Sequence, residues 1–168
     1  RISAEINVKD KFQNTKSLGP ILKREPSKKI RLGYYSSDFR NHAMSYLLAG
    51  LFEFHDKSKF ELIAFSFGPE KKDEMTERIA STFDKFIETN SKTDKEITKL
   101  SRDLKIDIAI DLMGFTKSNR FGIFVERCAP LQINYLGYPG TSGSNCIDYI
   151  IADKILIPKE NQIYYSEK

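Results

Sequence analysis

Cysteine is scarce in this 168-residue sequence, and long apolar runs are missing. The two cysteines, Cys128 and Cys146, lie on or beside apolar segments without the spacing of metal ligands. We therefore expect two reduced thiols, no disulfide and no metal site. No apolar stretch approaches the roughly 18 residues of a transmembrane helix, and the first residues lack the pattern of a signal peptide. These absences predict a soluble, cytoplasmic protein that does not bind a membrane.

An excess of either sign of charge is also missing. The 27 Lys and Arg residues and 23 Asp and Glu residues give a net charge of +4, and the charges are interspersed. The basic run at Lys28, Lys29 and Arg31 directly precedes an apolar strand, which is more typical of a solvated linker than of a surface that follows a phosphate backbone. We therefore expect no nucleic-acid partner, whereas a nucleotide or other anionic ligand is compatible with this charge.

The apolar content, 40% of the residues, is sufficient for the core of one domain. Residues 1–29 show no clear periodicity, which predicts a linker or peripheral segment with room for one short ordered piece. We expect residues 30–168 to form the folded domain. Its only histidine besides His42 is His55, which we expect at the end of a helix and on the surface.

Strand and helix patterns alternate from residue 30 onward. The spacing predicts, in chain order, strand 30–37, helix 42–54, strand 59–67, helix 73–86, a helix from 93, strand 106–114, helix 119–126, strand 131–137 and strand 148–153. Asn41, Asp73 and Thr93 are the predicted N-caps, and Thr93 and Glu96 have the spacing of a capping box. This order predicts an α/β fold with three layers and a mostly parallel sheet.

Three polar or glycine-rich segments follow predicted strands. They are "SSDFRNH" at 36–42, "MGFTKSNR" at 113–120 and "GYPGTSG" at 137–143. Ligands of open parallel sheets bind beyond the carboxyl ends of the strands. We therefore expect these three segments to gather at one edge of the sheet and to form the binding site.

The stretches "GYYSSDFRNHAMSYLL", "DLMGFTKSNRFGIF" and "APLQINYLGYPGTSGSNCIDYIIAD" together resemble the catalytic region of the O-linked N-acetylglucosamine transferase family, which includes the plant Spindly proteins. The resemblance extends from about residue 30 to residue 168. It implies the Rossmann-like amino-terminal lobe of a two-lobed, B-type inverting glycosyltransferase. A tetratricopeptide region would precede this lobe, and a nucleotide-binding lobe would follow it.

The same resemblance implies a reaction. It is the transfer of N-acetylglucosamine from UDP-N-acetylglucosamine to Ser or Thr of an acceptor protein, without a cofactor. Because the second lobe holds most of the nucleotide in such enzymes, we expect the isolated chain to fold without turning over the sugar donor.

The "SSDFRNH" segment carries the candidate catalytic residues, Asp38 and His42. From the residues alone, Asp38 could cap the loop and His42 could simply begin a helix. The resemblance instead implies that one of them removes the proton from the acceptor hydroxyl, a role that histidine or a water-linked carboxylate can fill. Either residue could be the base.

The "LGYPGT" motif carries the candidate substrate-binding residues. Glycine lets backbone amides approach a ligand closely, although the motif could also be a tight turn between adjacent strands. The resemblance implies that Gly137 lies against the donor sugar and that Leu136 and Pro139 shape the pocket. The remaining motif residues are Tyr138, Gly140 and Thr141.

Two further substrate-binding positions depart from the family pattern. Met44 stands where relatives often have a small hydroxyl residue near the donor sugar, and Phe115 stands where familiar relatives have tyrosine. A different sugar donor is therefore an alternative, and so is a non-catalytic, protein-binding module of a degenerate relative. The presence of both Asp38 and His42 favours the enzyme.

Overall fold

The computed structural model describes residues 2–13, 15, 18–22, 25, 27–70 and 72–168. The helices and strands are, in chain order, α1 (Ile2–Phe12), β1 (Ile30–Ser36), α2 (Ala43–Glu53), β2 (Phe60–Ser66), α3 (Glu74–Ala80), β3 (Lys85–Glu88), α4 (Asp94–Asp103), β4 (Ile108–Asp111), α5 (Gly122–Val125), β5 (Leu131–Tyr135) and β6 (Tyr149–Ile151), followed by a 3₁₀-helix (Lys159–Tyr164). None of the helices within these ranges is long and apolar enough to cross a membrane.

The six strands form one sheet in the order β3-β2-β1-β4-β5-β6, and every neighbouring pair is parallel. The predicted α/β fold with a parallel sheet is thereby confirmed. The chain proceeds outward from β1 to one edge and then returns to lay β4 on the other side of β1. Neighbouring connections leave in opposite directions at β1 and β4, which creates the crevice where such sheets bind ligands.

Two hydrophobic clusters cover the two faces of the sheet, because successive strand residues point to opposite sides. Tyr34 belongs to the cluster beneath α2 and α3, whereas its neighbour Tyr35 belongs to the cluster beneath α4 and α5. Leu62 and Ile63 of β2 divide in the same way, and both are fully buried. The sheet therefore forms the middle of three layers.

The N-caps of α3 and α4 are as predicted, but that of α2 is not. Asp73 and Thr93 each form a reciprocal capping box with the residue three positions later. For α2, the cap is His42 rather than Asn41, because the His42 ring accepts the Met44 amide. A residue predicted for catalysis therefore also begins a helix.

The predicted helix 73–86 is wrong in its second half. α3 ends at Ala80, where the hydroxyl of Ser81 donates to the Arg78 carbonyl. The chain then forms β3, which the sequence pattern missed. Asp84 fixes this change, since its amide donates to the Leu62 carbonyl and its carboxylate accepts the Leu62 amide. Pairing with β2 therefore overrides a helical apolar spacing.

The amino-terminal segment contains the helix α1, of which Phe12 packs against Phe121 with ring centroids 6.0 Å apart. Of residues 1–29, positions 1, 14, 16, 17, 23, 24 and 26 lie outside the described residues. The prediction for His55 needs correction as well. Its ring is half-buried, and its Nε2 lies 2.7 Å from the Tyr34 hydroxyl, so it is a packing residue rather than a free surface residue.

Candidate functional site

Three loops leave the carboxyl ends of adjacent parallel strands. We call them the β1 loop (residues 37–42), the β4 loop (residues 112–121) and the β5 loop (residues 136–148). Because β4 lies between β1 and β5 in the sheet, the β4 loop is flanked by the other two. The polar segments that the sequence predicted at one edge do lie at one edge.

Asp38 and His42 lie four residues apart, at the two ends of a compact turn. The Asp38 amide donates to Ser36 Oγ at 2.9 Å, and the Asp38 carbonyl accepts both the Arg40 amide, at 2.8 Å, and the Ser45 hydroxyl. These bonds fix the backbone of Asp38. Its side chain is 12% exposed, against 39% for that of His42, so the histidine is the more accessible group.

The His42 ring uses Nδ1 to accept the Met44 amide at 3.3 Å. A nitrogen that accepts a hydrogen bond carries no proton, so the proton of the neutral ring lies on Nε2. Asp38 Oδ2 lies 3.8 Å from the same Nδ1, which is beyond hydrogen-bond distance. The same ring nitrogen therefore lies next to both a backbone amide and a carboxylate.

A cavity of about 530 Å³ opens beside this pair. Its walls come from the β1 loop, from Gly68 and Pro69 after β2, and from Lys117 of the β4 loop. A Cβ at Gly68 would collide with the Ser37 carbonyl oxygen, so glycine allows the two backbones to meet there. The structure thus brings the predicted catalytic pair together with residues of two other strand ends.

Two cations line the same cavity, Arg40 and Lys117. Arg40 Nη2 lies 3.3 Å from Asp38 Oδ1. The cavity therefore combines one carboxylate, one imidazole and two positive side chains, a set that suits an anionic ligand next to a group that must lose a proton. Lys117 lies in the segment "MGFTKSNR", but it was not predicted as a site residue.

The β5 loop begins with a tight turn. The Gly137 amide donates to the Tyr135 carbonyl at 2.8 Å, which closes a three-residue turn around Leu136, whose φ is +68°. A leucine in this region is strained. A Cβ at Gly137 would collide with the Leu112 carbonyl oxygen, so the glycine also lets the β5 loop touch the β4 loop. The Gly137 amide is therefore engaged within the chain.

Tyr138 joins the β5 loop to the β4 loop. Its carbonyl accepts a hydrogen bond from the side-chain Nδ2 of Asn134 at 3.1 Å. A Cβ at Gly114 would collide with the Cβ of Tyr138. The Phe115 ring stands edge-on to the Tyr138 ring with centroids 5.6 Å apart, and it packs at 4.8 Å from Phe121. Phe115 is therefore held between the two loops by rings on both sides.

The other predicted binding residues divide between solvent and interior. Pro139 is exposed and Gly140 is half-buried, whereas Thr141 is 9% exposed and its hydroxyl is bonded inside the chain. Met44 and Leu136 are both partly buried and pack against the same hydrophobic cluster beneath α2. All β5-loop residues are described, and none of them lines the cavity beside Asp38 and His42.

Asp111 is a site residue that the sequence reasoning passed over. It ends β4 and is 1% exposed, and its two carboxylate oxygens accept the amides of Met113 and Gly114 at 2.9 and 3.1 Å. Burial raises the pKa of Asp111 to about 6, although these two bonds oppose the increase. An acidic residue that interrupts an apolar strand at its carboxyl end was the available signal.

Glu167 is a second residue that was missed. Its buried carboxylate accepts hydrogen bonds from Thr141 and Ser142 of the β5 loop. Burial opposes ionisation, but these bonds outweigh it, so the pKa of Glu167 is lowered. A contact across 25 residues has no local pattern, so nothing in the sequence alone indicated it.

Comparison with known proteins gives consistent matches. The family model described as glycosyl transferase family 41 matches residues 5–168. Of the curated relatives, a probable UDP-N-acetylglucosamine–peptide N-acetylglucosaminyltransferase SEC from Arabidopsis thaliana is 36% identical over 149 residues, which are 89% of this chain and 15% of that protein. The Caenorhabditis elegans UDP-N-acetylglucosamine–peptide N-acetylglucosaminyltransferase is 33% identical over 142 residues, which are 83% of this chain and 12% of that protein.

A solved structure matches as well. A mutant O-GlcNAc transferase from Thermobaculum terrenum superposes with a TM-score of 0.89 at 28% identity, covering 99% of this chain and 32% of that one. The chain thus spans only a small part of the length of its relatives. A family model that matches nearly the whole chain, together with the shared fold, establishes that the chain belongs to glycosyl transferase family 41.

Proposed function

We propose that residues 30–168 form the amino-terminal lobe of an inverting protein O-glycosyltransferase. The enzyme transfers N-acetylglucosamine from UDP-N-acetylglucosamine to Ser or Thr of proteins. The observation that carries the proposal is the cavity between the strand ends, where Asp38 and His42 lie beside Arg40 and Lys117. The printed names of the relatives support the donor and the peptide acceptor.

In this reaction the acceptor oxygen attacks the anomeric carbon while the bond from that carbon to the diphosphate oxygen breaks. The nucleoside diphosphate leaves with the electron pair, and the hydroxyl proton passes to a base. His42 is a candidate for this role because its ring is accessible. To accept the acceptor's proton at Nε2, the ring must carry its own proton on Nδ1, which requires Nδ1 to give up the Met44 amide and face Asp38 Oδ2, 3.8 Å away. Asp38 acting through a water molecule is the alternative base.

The β5 loop supplies the proposed contacts to the donor sugar. Leu136, Gly137 and Tyr138 are half-buried and thus open to a ligand on one side. Their backbone is fixed against the β4 loop, with Gly137 close to Leu112 and Tyr138 close to Gly114. A site that is fixed before the ligand arrives loses less entropy on binding.

The remainder of the enzyme lies outside this chain. The proposal includes a carboxyl-terminal lobe that binds the nucleotide, a preceding tetratricopeptide region and a cytoplasmic location. No cofactor takes part. Of the described residues before residue 30, those of α1 pack on the lobe through Phe12.

The test is a screen of nucleotide sugars with the full-length protein. The protein is incubated with UDP-N-acetylglucosamine, GDP-fucose and UDP-glucose in the presence of acceptor proteins, and mass spectrometry reads the mass added and the residue modified. The proposal predicts addition of N-acetylhexosamine to Ser or Thr. A deoxyhexose or hexose on the acceptor would contradict the proposed donor, and the absence of any sugar addition would favour a non-catalytic module.

A further inference from the structure

The carboxyl-terminal segment that follows the 3₁₀-helix lies along the β5 loop. The Tyr165 hydroxyl donates to the Pro139 carbonyl at 2.7 Å, and the Ser166 amide donates to Thr141 Oγ1 at 3.1 Å. Two consecutive residues therefore hold two positions of the loop. The contact joins parts of the chain that are about 25 residues apart in sequence.

Glu167 is the centre of this contact. Its side chain accepts the Ser142 amide and the Thr141 hydroxyl, each at 2.7 Å, and also the Ser142 hydroxyl. The residue is 8% exposed, and within the described part of the chain it forms no ion pair with Lys, Arg or His. A buried carboxylate without a cation is tolerated only when hydrogen bonds satisfy it. Here the β5 loop provides these bonds.

The Thr141 hydroxyl uses its full hydrogen-bonding capacity in this arrangement. A hydroxyl has one proton to donate and two lone pairs to accept with. Its lone pairs accept the amides of Gly143 and Ser166, each at 3.1 Å, and its proton goes to Glu167. Replacing the carboxylate by an amide would put an N–H₂ group opposite groups that already donate, so the arrangement requires an ionised acid at this position.

These bonds act on the β5 loop, whose first residues carry strain. Leu136 is held at a φ of +68° and Gly137 is pressed against Leu112, and such conformations persist where the surroundings determine them from several sides. The β4 loop contacts this segment at its start. Glu167 and Tyr165 hold the part that begins at Pro139.

We propose that Glu167 is a positioning residue for donor binding, which fixes the β5 loop in the conformation that receives the sugar of the nucleotide-sugar donor. The inference rests on the function proposed above. Glu167 does not touch the donor; it acts through Thr141 and Ser142. Its loss should therefore weaken the contact with the sugar and leave the contact with the nucleotide unchanged.

The experiment uses the full-length enzyme with Glu167→Gln and Tyr165→Phe. For each variant, kcat and KM for UDP-N-acetylglucosamine are measured with a protein acceptor, Kd for UDP is measured by calorimetry, and Tm is recorded. We expect Glu167→Gln to raise KM about tenfold, because the donor must then order the released β5 loop when it binds, with kcat and Kd for UDP changed much less. Tyr165→Phe should raise KM by a smaller factor.

The matched control is Glu160→Gln, the same substitution at an exposed position of the 3₁₀-helix, which should leave all four values unchanged. An unchanged KM in both variants, with only Tm lowered, would overturn the inference and leave Glu167 a purely structural residue. If Glu167→Gln does not fold, Tyr165→Phe alone decides. If the unmodified enzyme does not use UDP-N-acetylglucosamine, the proposed function fails first, and this inference fails with it.

Discussion

The β1 loop and the β5 loop border the same end of the sheet but are built differently. In the β1 loop the backbone is bonded, whereas the Asp38 and His42 side chains lie 3.8 Å apart without a hydrogen bond between them. In the β5 loop both backbone and side chains are engaged, with Thr141 saturated by hydrogen bonds. Proton transfer needs a group that can gain and lose a proton, whereas sugar recognition needs a rigid surface. Under the proposed function, the β1 loop is assigned the first task and the β5 loop the second.

The largest expected effect is on turnover, through the β1 loop. We predict that His42→Ala and Asp38→Asn in the full-length enzyme each lower kcat by roughly 100-fold to 10,000-fold, the usual contribution of a general base. Donor KM should change much less, because a general base acts during proton transfer and therefore stabilises mainly the transition state. Steady-state kinetics on a protein acceptor measure both values.

The control for these variants is His55→Ala. This substitution removes a histidine that packs on Tyr34, so it should lower stability and leave turnover near that of the unchanged enzyme. Near-normal turnover of both β1-loop variants would mean that the loop is structural. A collapse of donor affinity in place of turnover would assign the pair to sugar binding.

Features that depend on residues close in sequence were predictable, whereas features that depend on residues far apart in sequence were not. The capping box of Thr93 and Glu96 is a contact between neighbours, and it was predicted correctly. The parallel sheet followed from the alternation of strand and helix patterns. The end of α3 was not predictable, because Asp84 pairs with Leu62 of another strand, and the role of Glu167 was not, because it depends on the chain folding back on itself.

The same division holds for the candidate site. The position of each motif after a strand was enough to place the three loops at one edge. The tautomer of His42 was not predictable, because it depends on the amide of Met44 at the start of a helix. Likewise, the close approach of Gly137 to Leu112 appears only when β5 lies beside β4.

The second largest effect should appear in the pH dependence of stability, through Asp111 between the two loops. Its pKa is about 6 in the folded protein and 3.8 in the unfolded reference, so the folded state binds more protons between these values. Stability contributed by the protonated carboxyl is therefore present at pH 4 and is lost as pH rises toward 6 and above. A difference of about two pKa units corresponds to roughly 3 kcal/mol.

Asp111→Asn tests this prediction, since the amide does not titrate. The free energy of unfolding of the 168-residue chain is measured by urea denaturation from pH 4 to pH 7, and the value for the variant is subtracted from that for the unchanged chain. We expect this difference to fall by roughly 2–2.5 kcal/mol over the range, because pH 4 already lies just above the unfolded value. A difference that is independent of pH for Asp111→Asn would contradict the prediction.

A third effect should follow from adding one methyl group to the rigid loop. Gly137→Ala places a Cβ against the Leu112 carbonyl oxygen, so the β5 loop must move away from the β4 loop. We predict a loss of stability of about 1–3 kcal/mol, as for other overpacked sites. Gly50→Ala is the control, because a Cβ there meets nothing within 4 Å. That substitution in α2 should stabilise by about 0.5–1 kcal/mol.

Urea denaturation of the two glycine variants measures both changes. If Gly137→Ala were as stable as the unchanged chain, the β5 loop would be able to shift without a loss of stability. The conclusion that the β5 loop is rigid would then be wrong. Donor KM of the full-length variant adds a second measurement. It should rise, because a displaced loop no longer presents Leu136 and Tyr138 in their fixed positions.

The smallest expected effect concerns Phe115, which lies on the β4 loop between the other two. Phe115→Tyr adds the hydroxyl that the family resemblance implies at this position and keeps the ring contacts with Tyr138 and Phe121. One neutral hydrogen bond contributes about 0.5–1.5 kcal/mol, so KM for UDP-N-acetylglucosamine should fall by a factor of about ten or less. Phe115→Leu, the control, removes the ring and should raise KM, because Tyr138 then loses its neighbour. An increase in KM with tyrosine would show that the ring edge faces protein, and Phe115 would then support the β5 loop without contacting the sugar.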